Sequence, residues 1–106
     1  MSTTNNRLLL AFEQQLREIN REILNPMIEE LDTEQLAPVI RMVAVARGNY
    51  LQALIDVSKQ THGEMPSDSQ IKELQKMRVR YDELVSAAQA LEVAIQRGYL
   101  DADLKP

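Results

Sequence analysis

Leu74, Met77, Tyr81, Leu84, Ala88, Leu91 and Ile95 follow one another at alternating spacings of three and four residues. Only an α-helix places all of them on one face, and a face of this kind needs something packed against it. Ser67 with Gln70 three residues on has the form of a capping box, and Gly98 suits the left-handed residue that ends a helix. Between these signals lie about 30 residues, which is roughly 45 Å of helix. With Leu74 at heptad position a, the first-half flanks Glu73, Arg78 and Arg80 form a charged coiled-coil rim, whereas Val85, Ala87 and Ala94 widen the apolar face in the second half. A two-stranded coil has no use for that widening, but a wall of a bundle does.

The rest of the composition agrees with a helical class. Phe12, Tyr50, Tyr81 and Tyr99 are the whole aromatic inventory, and three Gly and four Pro are too few turn residues for a β-sandwich. The 106 residues suit one helical domain over 1–106, with 1–4 and 101–106 expected to fray. A net charge of −4 does not favour nucleic acid or an anionic membrane. The chain has no Cys, which removes disulfides, thiol catalysis and Cys-based metal centres and suits a reducing compartment. The apolar run Leu8 to Phe12 is too short for a signal-peptide core, and no run reaches the ~18 residues of a membrane span. The expectation is a soluble cytoplasmic protein.

A first helix is marked by Leu9, Phe12, Leu16, Ile19 and Ile23 on one stripe, with Thr3 or Thr4 as caps and Glu13 to Arg17 as a favourable i,i+4 pair. Pro26 predicts a kink or break near Asn25, after which Asn25 would cap a short turn through Leu31. Asp32-Thr33-Glu34-Gln35 starts a second helix, from Thr33 to about Gln60, and residues 61–66 link it to the third. Short links and long helices predict an antiparallel three-helix bundle.

The second helix carries two apolar stripes. Leu36, Val39, Ile40, Val43, Ala46, Tyr50, Leu54 and Val57 make a broad one that faces the core. Ala44, Gly48, Leu51 and Ile55 make another nearly opposite, and between Ala37 and Ala46 only Arg41 is not apolar. Two neighbouring helices cannot readily cover both sides. A mid-helix Gly costs about 1 kcal/mol against Ala, so Gly48 fits a close backbone approach. The expectation is a bundle completed by homodimerisation, with Ala44, Gly48, Leu51 and Ile55 at the interface.

No constellation names a catalytic residue, a cofactor or a metal. His62 is the single histidine and falls in a link. Glu29, Glu30, Asp32 and Glu34 cluster, but without the alternating ligand pattern of a calcium loop, and they suit a solvated helix junction. Lys72, Lys76, Arg78 and Arg80 form a basic patch interleaved with Asp68, Glu73, Asp82 and Glu83 and lacking an aromatic stacking platform. Arg41 and Arg47 interrupt apolar stripes, where long side chains snorkel to water. Tyr99, Leu100 and Leu104 suit capping of a bundle end. The reading is a non-enzymatic protein–protein interaction module, whether adaptor, assembly factor, chaperone or regulator, with itself and a second protein as partners. Two alternatives are a nucleic-acid-linked regulator using the basic patch and a carboxylate-based metal protein or enzyme using Glu29, Glu30 or Asp32.

Overall fold

The computed structural model describes residues 3–28 and 31–101. Among them are three helices and no strand: α1 (Thr3–Met27), α2 (Thr33–Thr61) and α3 (Asp68–Gln96). The all-α expectation holds.

The helix ends follow local chemistry. Asp32 and Gln35 exchange side-chain to backbone hydrogen bonds at 2.9 Å each and cap α2, with Gln standing where Glu is more familiar. Ser67 and Gln70 cap α3 in the same way, at 2.8 and 3.2 Å. Both C-termini close with paired bonds of the Schellman type. At α3 the Tyr99 N–H donates to the Ala94 carbonyl and the Gly98 N–H to that of Ile95, with Gly98 at φ 72°. At α2 the Gly63 N–H donates to the Ser58 carbonyl and the His62 N–H to that of Lys59. The left-handed position here belongs to His62, at φ 54°, rather than to a glycine.

α1 continues through Pro26 and ends one residue later. The break expected near Pro26 is therefore the end of the helix itself. Asn25 lies inside α1 and caps no separate turn, and residues 29 and 30 of that expected turn lie outside the described residues. Proline is tolerated in this last turn because only the Glu22 carbonyl loses its intrahelical donor.

Two compact units divide the chain. One combines the residues up to Leu36 with those from Leu91 onward, and the other is Ala37–Ala90. In the first, Ala94, Tyr99 and Leu100 are buried together, and Leu16, Leu24, Leu31 and Leu91 pack against them. The Schellman turn at Gly98 brings Tyr99 back over Ala94, which is the apolar contact that accompanies this motif. Arg21 secures the turn by donating to the Gly98 carbonyl at 2.8 Å and pairing with the Asp101 carboxylate. The Leu31 N–H donates to the Asp101 carbonyl at 3.1 Å. Of the residues expected to fray, Thr3 and Thr4 are helical and Asp101 is tied down on two sides.

In the second unit α2 and α3 pack along their apolar stripes. Val39, Val43, Ala46, Tyr50 and Ala53 on α2 are half-buried and Val57 is buried, and Leu74, Met77, Tyr81, Leu84 and Ala88 on α3 are half-buried. The predicted α3 seam is thus the face that packs. On α2 the packed stripe is narrower than expected: Ile40 and Leu54 remain more than half exposed, and Ala53 takes the inward position, because 100° per residue carries both larger side chains to one edge of the stripe. The Tyr50 and Tyr81 rings lie 6.1 Å apart and tilted by 38°. Arg47 finds an aromatic partner rather than a carboxylate, its guanidinium 5.5 Å from the centre of the Tyr81 ring and its Nε donating to the Tyr81 hydroxyl at 3.2 Å.

Candidate interaction surface

The N-terminal turns of α1 contain Leu8, Leu9, Leu10, Ala11 and Phe12 in succession. Five consecutive residues on a helix cover its whole circumference, so this segment is apolar all round, the signature of a helix buried on every side. Its large side chains are open: Leu8 is 70% exposed, Leu10 65% and Phe12 60%. Further along the same helix Ile19, Ile23 and Met27 are also more than half exposed, and only Leu16 of the predicted stripe is half-buried. The face of α1 that meets the core of its unit is instead Leu16, Asn20 and Leu24, rotated from the apolar stripe. Asn20 fits there because its side-chain amide donates to the Leu16 carbonyl at 2.7 Å.

Within the second unit a groove of about 720 Å³ opens between α2 and α3. Met42 and Val45 of α2 and Met77, Val79 and Leu84 of α3 give it an apolar floor, and Arg41, Arg80 and Glu83 add charge to its walls. Among the described residues none of these three charged side chains has an ion-pair partner. The ion pairs found there are Arg21 with Asp101 and Lys76 with Glu73, the latter at 3.0 Å; the expected pairing of Glu13 with Arg17 is not among them. The groove flanks the packed stripe of α2 on the side away from Ala44, Gly48, Leu51 and Ile55. Those four residues are exposed, and a Cβ built on Gly48 would meet nothing within 4 Å. No atom of the chain itself accounts for a glycine at that position.

The basic patch divides. Lys72, Lys76 and Arg80 surround a shallow depression over Val79, whereas Arg78 faces Asp82 and Glu83 at another one. His62 is exposed and serves as the left-handed cap of α2. Asp32 is occupied in capping α2, and Glu29 and Glu30 lie outside the described residues. Among the described residues no three Asp, Glu or His side chains converge as a metal site would need. No described helix is long and apolar enough to cross a membrane.

Sequence reasoning missed Met42 and Val45 as surface-forming residues. The signal is present in the run from Ala37 to Ala46, where apolar residues surround the helix and Met42 and Val45 fall on a side that neither predicted stripe includes. Leu9 and Phe12 belong to the predicted stripe of the first helix, and Leu8, Leu10 and Ala11 beside them extend the apolar surface around it. The chain matches no protein-family model, no curated protein and no solved structure.

Proposed function

We propose that this chain is a non-enzymatic protein–protein interaction module that works as a homodimeric, antiparallel helical bundle in the cytoplasm. The observation that carries the reading is the apolar surface left open on all three helices, concentrated in Leu8 to Phe12 and in the groove at Met42 and Val45. Contiguous apolar patches of this kind mark surfaces that meet another macromolecule. The antiparallel arrangement is supported by the contacts of α2 with α3, where Gln60 meets Gln70 while the earlier Tyr50 meets the later Tyr81. Self-association comes first because both open surfaces belong to one chain and can cover one another, and a second protein would then use what the dimer leaves free. Sedimentation equilibrium across a concentration series tests the reading. A mass of two chains is expected, and a single-chain mass at tens of micromolar, roughly where a weak dimer of about 8 kcal/mol would have formed, overturns it.

A further inference from the structure

We propose that the Leu8–Phe12 turn of one copy docks in the α2/α3 groove of a second copy, and that the exchange is reciprocal. This rests on the homodimeric reading above and specifies its contact. Each copy offers one apolar turn and one groove, and in a reciprocal exchange turn meets groove and groove meets turn, the self-complementary pattern of a two-fold interface.

Dimensions, chemistry and charge support the match. From Arg41 to Asn49 the groove follows α2 for about 12 Å, a little over two turns, which accommodates the apolar turn of a crossing helix. Phe12 supplies a rigid aromatic anchor of the kind that dominates interfaces, and the flexible thioethers of Met42 and Met77 mould to a ring and attract it. The apolar turn is bracketed by Arg7 and Glu13, and the groove bears Arg41 and Arg80 together with Glu83. Among the described residues all five lack an ion-pair partner, so each sign at the turn has its opposite waiting at the groove. Pairing α1 only with α1 would leave the groove open.

The absence of cysteine permits a clean test. A Gln15→Cys chain carrying a nitroxide label is mixed with unlabelled-cysteine-free chain enriched in ¹⁵N, so that any paramagnetic broadening is between copies. With a two-chain mass, the amides of Met42, Val45 and Val79 are expected to lose most of their intensity. Broadening confined to α1, or to Ala44, Gly48, Leu51 and Ile55, or no broadening at all, overturns the docking while a two-chain mass keeps the dimer. A single-chain mass overturns both. Phe12→Ala gives an independent reading: because Phe12 is exposed in the single chain, helix content should hold while the dimer dissociation constant rises about 30-fold. An unchanged constant overturns the docking.

Discussion

The seams of α1 and α3 share one spacing and similar side chains, yet they meet opposite fates. Leu74, Met77, Tyr81, Leu84, Ala88, Leu91 and Ile95 are all half-buried, whereas Leu9, Phe12, Ile19 and Ile23 are more than half exposed. From Leu74 to Ala88 the α3 seam finds α2 across the short link between Thr61 and Asp68, so bringing the two stripes together closes a small loop at little entropic cost. Of the α1 stripe only Leu16 packs on a neighbour among the described residues, the cluster at Ala94, Tyr99 and Leu100. A heptad pattern therefore states that a helix has a partner, but not whether that partner belongs to the same chain.

The largest effect should come from the covered side of this contrast. Leu100→Ala removes one of the few buried side chains and is expected to cost about 3 kcal/mol, read as a lowered urea midpoint at unchanged slope. Leu91→Ala, in the half-buried seam, should follow at about 2 kcal/mol. Its counterpart in the open seam, Ile19→Ala, should cost under about 0.5 kcal/mol when measured at concentrations too low for association, with any larger effect appearing only as the protein is concentrated. Equal losses in the dilute measurement for Leu91→Ala and Ile19→Ala would break the distinction between the two seams.

Two smaller changes sharpen it. His62→Gly relieves a side chain held at positive φ and should stabilise the α2/α3 unit by about 1 kcal/mol, seen as slower amide exchange near the end of α2 and without effect on association. Lys76→Gln, which loses only an exposed i,i+3 pair, should change stability by less than about 0.5 kcal/mol. Combined with Lys72→Gln, it also probes the basic depression over Val79. A salt-sensitive electrophoretic shift with DNA or RNA that vanishes in the double variant would bring the nucleic-acid reading forward.

Most of the fold was legible because helix ends are written locally. Ser67 with Gln70, Asp32 with Gln35, and Gly98 act through bonds spanning three to five residues, so residue types in order suffice to place them. His62 was not legible as a cap because the left-handed conformation is uncommon for any residue but glycine, and the adjacent Gly63 masks the position in sequence. The groove was less legible still. Whether Met42 and Val45 lie at an edge or in the core depends on the rotation of α2 against α3, which differs by one edge of the stripe between the broad face that was expected and the narrower one that packs. Arg21 was hidden for a related reason, since its partners at Gly98 and Asp101 are 77 and 80 residues away.

The turn at Gly98 also sets an order of events during synthesis. Ala94, Tyr99 and Leu100, the buried heart of the first unit, are made long after α1, whereas α2 and α3 are neighbours in the chain and can pack as α3 is made. At ribosomal speeds of about 5–20 residues per second, α1 waits for several seconds with its leucines uncovered. Until then Leu16 and Leu24 lack the cluster on which they pack in the finished unit.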